Sequence, residues 1–205
     1  IVYIDMIENF EQQYGYLPGD IPNAYSIWND SCAGSASDCN GNGNGIIEYS
    51  NSTADVEVFR AWQHMFLAGI SGLDLPGVAQ NSGEADFEFN VPKSNAMNAG
   101  WTIDIGTFIE SGTTDAYQAL RIGSFLSGEN LTNGFLSAQD AKILDNKYDN
   151  GIANTGNITY YCAENFSSID GCYTDIVEYD SSNKNLMCYL EFNITRNGIT
   201  EDRCS

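Results

Sequence analysis

The hydrophobic period of this chain changes along its length, and that change limits the folds open to it. In the first stretch Ile1, Ile4, Ile7, Phe10 and Tyr14 recur at helical spacing, with Glu8, Glu11 and Gln12 among them. Further on, Phe87, Phe89 and Val91, and then Trp101, Ile103, Ile105, Thr107 and Ile109, fall on alternate residues. A period near 3.6 marks an amphipathic helix, and a period of two marks a strand with one buried face. The pattern predicts an α+β chain.

Breaks and caps divide the remainder. Residues 14–24, YGYLPGDIPNA, hold two prolines and two glycines and read as an extended, turn-rich connection. Residues 29–53 are rich in Asn, Gly, Ser and Asp and read as a loop. A second helix is expected over 54–68, capped by Ser52 or Thr53, with Asp55 and Glu57 at the positive end of its dipole. Val56, Phe59, Gln63 and Phe66 trace its stripe, and Gly69 is its expected stop. Residues 117–125 read as a strand, and Ser137 followed by Asp140 signals a capped short helix to about Tyr148. Two more strand-like runs, 158–162 and 187–194, fall in a cysteine-rich C-terminal region, 156–205. At 205 residues the chain fits one domain, 1–205.

Six cysteines, at 32, 39, 162, 172, 188 and 204, point to disulfides formed outside the cytosol. Sequential pairing, Cys32 with Cys39, Cys162 with Cys172 and Cys188 with Cys204, is the simplest of the connectivities that six cysteines allow. With 28 acidic against 8 basic side chains and a net charge of -20, the surface repels phosphate backbones and anionic headgroups. No nucleic-acid partner is expected. The chain also has no run of about 20 apolar residues that would span a membrane.

Four segments in order, YGYLPGDIPNAYSIW at 14–28, CNGNGNGII at 39–47, FRAWQHMFLAGI at 59–70 and LSAQDAKILDNKYDNG at 136–151, resemble bacterial proteins with a prepilin-type N-terminal segment. These are the relatives of type IV pilins and type II secretion pseudopilins. The resemblance covers about residues 1–155. It implies a long N-terminal helix packed on an antiparallel sheet, with residues 1–14 as the helix's second half and Ile1, Ile4, Ile7, Phe10 and Tyr14 as its packing face. It also implies a non-enzymatic subunit at the cell surface or outside the cell, anchored in the inner membrane by an upstream hydrophobic helix before assembly, whose partners are copies of itself or other pilin-like subunits.

Candidate chemistry is sparse. Residues 40–51, NGNGNGIIEYSN, resemble an EF-hand-type calcium loop, with Asn40, Asn42, Asn44, the Ile46 carbonyl and Glu48 as ligands and Asp38 and Glu57 as flanking carboxylates. Neutral Asn stands where such loops carry Asp, and Asn51 where they carry a bidentate Glu. His64 is the only imidazole, and no G-x-S-x-G elbow accompanies it, so a structural role is expected. Gly41, Gly43 and Gly45 lack the Lys-Ser/Thr of a phosphate loop. No catalytic residue is expected. The rival expectation is a stand-alone secreted module that binds carbohydrate or depends on calcium, with Trp28 as the exposed stacking ring.

Overall fold

The structure is a computed structural model. It describes every residue except 1, 33–34, 51–55, 96–97, 111–112, 154, 163–172, 176–177, 181, 183, 187 and 195–205; for 106–110, 113–116, 162 and 173–175 it describes the backbone only. In chain order come α1 (Val2–Tyr14), α2 (Ala24–Trp28), a 3-10 turn (Asn29–Ser31), α3 (Ala36–Cys39), α4 (Glu57–Leu67), β1 (Gly100–Glu110), β2 (Thr113–Gly123), α5 (Ala138–Tyr148), β3 (Ile158–Cys162), β4 (Tyr173–Asp175), β5 (Glu178–Tyr179) and β6 (Cys188–Asn193). The protein is therefore α+β with antiparallel sheets.

The main sheet runs β1-β2-β6-β3, and every neighbouring pair is antiparallel. Register assigns the faces: Trp101 lies opposite Ile122, Ile103 opposite Leu120, and Leu120 opposite Phe192. That face meets the helices. Ile7 and Phe10 of α1, Phe59, Trp62 and Met65 of α4, and Ile103 and Leu120 of the sheet form one buried cluster. Ala138 and Ala141 of α5 join Ile158, Tyr160 and Leu190 in a second, and Trp101 and Phe192 pack against both. Each fully buried Phe, Met or Ile contributes about 1.5–3 kcal/mol.

The helix face expected at 1–14 is present, with Ile7 and Phe10 buried, Ile4 and Tyr14 half-buried, and Ile1 outside the described residues. α4 lies against β1 and α1 lies against α4, so α1 itself reaches the sheet where Tyr3 meets Trp101, ring centroids 5.7 Å apart. The second helix is described from Glu57, with Val56 at its N-cap and no side-chain cap bond; the expected caps Ser52 and Thr53, and residues 54–55 of the expected helix, lie outside the described residues. Gly69 ends it, at φ 71°.

Two expectations fail locally. Phe87, Phe89 and Val91 do not form a strand: residues 87–90 are a turn. The Asp86 carbonyl accepts the N–H groups of Phe89 and Asn90, Asp86 Oδ1 takes Glu88 N–H, and Asn90 Oδ1 takes Asp86 N–H. Side chains that bond nearby backbone outcompete a ladder. The loop expected over 29–53 contains the 3-10 turn and α3, the latter capped by the Ser35 hydroxyl, which accepts Asp38 N–H.

The capping signal at 137 is realised: Ser137 Oγ accepts Asp140 N–H at 3.2 Å and donates to Asp140 Oδ2 at 2.7 Å. Ser137→Ala is expected to cost about 1 kcal/mol in urea unfolding, the usual worth of such a cap.

Cys32 and Cys39 form a disulfide, Cα atoms 5.4 Å apart. Cys188 is also disulfide-bonded, and β3–β6 register sets the Cα of Cys162 opposite it. The expected partners Cys172 and Cys204 lie outside the described residues.

Candidate functional site

The segments singled out by sequence meet in one place. Gly19 and Asp20 lie in the turn after α1, residues 39–48 form the loop after α3, and α4 presents Glu57, Arg60 and His64. These three, at i, i+3 and i+7, share one side of the helix. All are buried.

Each takes a backbone partner. Glu57 Oε1 accepts Asn42 N–H at 2.8 Å and its Oε2 accepts Glu48 N–H at 3.1 Å. Arg60 donates to the carbonyls of Asn40 and Ser37. His64 Nδ1 accepts Gly19 N–H at 3.0 Å, which puts the ring proton on Nε2, 3.0 Å from the Cys39 carbonyl. Asp20 gathers the loop: its Oδ1 accepts the N–H groups of Gly43 and Asn44 at 2.6 and 3.1 Å, and its Oδ2 that of Gly45 at 2.8 Å.

The two glycine-bearing segments touch backbone to backbone. Gly41 N–H donates to the Ile21 carbonyl at 2.8 Å, and a Cβ added at Gly41 would fall on the main chain of Gly19 and Asp20. No flexible side chain is there to yield. Gly41→Ala is expected to destabilise by about 1–3 kcal/mol, as overpacking does, measured as a lowered urea midpoint with an unchanged m-value.

Burial sets the electrostatics. It pulls the His64 imidazole down to about 4, only partly opposed by its bond to the Cys39 carbonyl and aided by Arg60. Burial raises the Glu57 carboxyl, and the nearby charges of Asp20 and Glu48 raise it further, against the two N–H bonds that lower it. Asp20 is likewise raised by burial and held back by its three N–H donors.

In this arrangement the side-chain oxygens of Asn40, Asn42 and Asn44 from the calcium set read from the sequence each accept a backbone N–H. Asn40 Oδ1 accepts Tyr25 N–H, Asn42 Oδ1 accepts Asn44 N–H, and Asn44 Oδ1 accepts Ile46 N–H. The amide nitrogens of Asn42 and Asn44 donate to Glu48 Oε2 at 2.7 and 2.8 Å. An EF-hand loop turns oxygens toward a cation; here N–H groups turn toward the carboxylates of Asp20 and Glu57. Asp38 is instead bonded by Ser35. Among the described residues the one group of three or more Cys, His, Asp or Glu with ligand atoms within 4.8 Å of one another is Cys32, Cys39 and His64, where the sulfurs are joined and both ring nitrogens are engaged.

Three features were missed by sequence reasoning. Asp20 stands 23 to 25 residues from its partners, and only its place in the PGD turn marked it. Trp28 is half-buried rather than exposed, packed on Tyr14 at 5.5 Å and His64 at 5.0 Å. Arg121 is buried between Asp104, 2.7 Å from Nη1, and Glu191, 2.5 Å from Nη2, joining β1, β2 and β6. Burial works to lower the Arg121 guanidinium, but the two carboxylates hold it above its ordinary value.

A groove of about 550 Å³ opens between the start of α1, residues 71–73 and β1, lined by Val2, Tyr3, Met6, Leu73, Lys93 and Trp101 among others. Among the described residues no helix is long and apolar enough to cross a membrane. No family model, curated protein or solved structure matches the chain.

Proposed function

We propose that this chain is the globular head of a pilin-like subunit, that it assembles into an extracellular filament, and that it does no chemistry. The observation that carries the reading is the use to which three of the resembling segments are put. Gly19–Asp20, the 39–48 loop and the polar side of α4 fasten to one another through backbone hydrogen bonds, beside the cluster that seats α1. That is what a head needs if its N-terminal helix is to transmit load within a filament. A catalytic histidine needs a free nitrogen facing a nucleophile and a substrate, and His64 offers neither nitrogen.

The Cys32–Cys39 disulfide suits a head that works outside the cytosol. Calcium stays outside this reading: titration calorimetry on the intact protein is expected to show no calcium binding up to millimolar concentration. The residues encoded upstream of Ile1 test the proposal. A short basic leader, then Gly before Phe or Met, with an acid near the start of about 20 apolar residues, is the expected result. A simple secretory signal sequence there would overturn it in favour of a stand-alone module.

A further inference from the structure

Asparagine is chemically labile, and most so before glycine, whose missing side chain leaves its backbone nitrogen open to the Asn Cγ. The chain has six Asn-Gly pairs, at 40–41, 42–43, 44–45, 133–134, 150–151 and 197–198, and the last lies outside the described residues. The other five are not alike.

In four of them both reacting groups are engaged elsewhere. Asn40 Oδ1 accepts Tyr25 N–H at 2.8 Å, while Gly41 N–H donates to the Ile21 carbonyl at 2.8 Å. Asn42 and Asn44 turn their Oδ1 atoms to the N–H groups of Asn44 and Ile46, and Gly43 and Gly45 donate to the Asp20 carboxylate at 2.6 and 2.8 Å. Asn150 Oδ1 accepts Ile152 N–H at 2.8 Å, and Gly151 N–H donates to Asp145 Oδ1 at 3.0 Å. A carboxylate acceptor makes a strong bond to the very proton that the reaction must remove. At the fifth pair the arrangement is reversed. Gly134 N–H donates to Oδ1 of Asn133 itself at 3.0 Å, so the nitrogen is held beside the carbonyl it would attack. Ser124 fixes the main chain on both sides of the reacting bond: its N–H donates to the Asn133 carbonyl at 2.9 Å and its Oγ to the Gly134 carbonyl at 2.9 Å.

We propose that Asn133 is a site of spontaneous intramolecular modification in the folded protein. Gly134 N attacks Asn133 Cγ, and a new C–N bond closes a succinimide ring as the Cγ–Nδ2 bond breaks and the Gly134 amide proton leaves with the ammonia. Water then opens the ring at either carbonyl, giving aspartate or isoaspartate at position 133. Nothing is oxidised or reduced, and water is the only co-reactant. Either product adds a carboxylate to a chain of net charge -20 and removes the Nδ2 donor from the Phe125 carbonyl. Isoaspartate also lengthens the main chain by one CH2 at the bridge between Asn133 and Ser124. The reaction needs no partner, so it stands or falls apart from the filament reading.

Exposure alone predicts a different order, because Asn42, Asn44 and Asn150 are exposed whereas Asn133 and Gly134 are half-buried. The test incubates the full chain at mildly alkaline pH, both folded and in urea with its disulfides reduced. Tandem mass spectrometry follows the conversion of amide to carboxyl at each position. In the folded protein Asn133 is expected to convert at least about tenfold faster than Asn40, Asn42, Asn44 or Asn150, since it alone has its attacking nitrogen oriented. In urea the five rates are expected to draw together. Asn133→Gln, whose longer side chain disfavours ring closure, is expected to lose the early release of ammonia. A folded chain in which any of the other four converts as fast as Asn133, or in which Asn133 keeps its amide until urea frees it, overturns the proposal. Ammonia released by the Asn133→Gln variant at the wild-type rate overturns it as well.

Discussion

Replacing Arg121 with methionine is expected to destabilise the protein by about 3–5 kcal/mol, the cost of leaving buried charges uncompensated. The guanidinium lies with its side chain 8% exposed between Asp104 and Glu191, which are 16% and 2% exposed. The carboxylates have other donors, Asn130 Nδ2 to Asp104 at 3.0 Å and Tyr117 Oη to Glu191 at 3.2 Å, but neither supplies a positive charge. Arg121 also stacks over Tyr189, 5.1 Å from its ring centroid, so methionine preserves some of the packing but none of the charge. At roughly 2–4 °C per kcal/mol for a chain of this size, Tm should fall by about 10 °C. Converting all three residues to apolar ones of similar volume should recover most of the loss, because a buried ion pair gains little over good packing. A single R121M variant melting with the wild type would show that the triad is solvated and its role misassigned.

Stability is expected to fall by about 3 kcal/mol between pH 6.5 and about 4 through His64 alone. The sign follows from proton counts. The unfolded chain binds a proton at His64 near 6.5 and the folded one only near 4, so across that window the unfolded state holds more protons and acid favours it. Above 6.5 the contribution is complete. Asp20, Glu57 and Asp145 act in the opposite sense: burial raises each carboxyl, so each favours the folded state in acid, and that contribution fades as pH rises past the ordinary carboxylate range. The wild-type profile is the sum of these effects, and its difference from a His64→Gln variant isolates the histidine. Glutamine can still donate toward the Cys39 carbonyl while carrying no titratable proton. The variant will be less stable at neutral pH, yet its loss from pH 6.5 to 4 should be smaller by about 3 kcal/mol. Parallel profiles would contradict the buried, neutral imidazole.

Signals that act over short range were legible in the sequence. The stripe of α1, the alternation through Trp101, Ile103 and Ile105, the Ser137 cap and the seven-residue spacing of Cys32 and Cys39 each declare a local structure, and each is present. The failure at 87–91 is equally local: an alternating run was set against the turn-forming side chains of Asp86 and Asn90, and the side chains prevailed. What stayed hidden depends on distant residues. Asp20 gathers amides 23 to 25 positions away, and Arg121 meets Glu191 across strands separated by 70 residues. In the 40–48 loop the alternating Asn residues match a cation loop in register, while the oxygens of Asn42 and Asn44 accept the loop's own amides and that of Asn40 accepts Tyr25 N–H. The centre of the arrangement is a carboxylate from another part of the chain.

The central claim is that this head belongs to a filament, and its most direct test is electron microscopy of the full-length protein in its native surface fraction, labelled with an antibody raised against the head. Label running along filaments several nanometres wide is the predicted result. Abundant surface protein that is never found on a filament, alone or with partners, would contradict it.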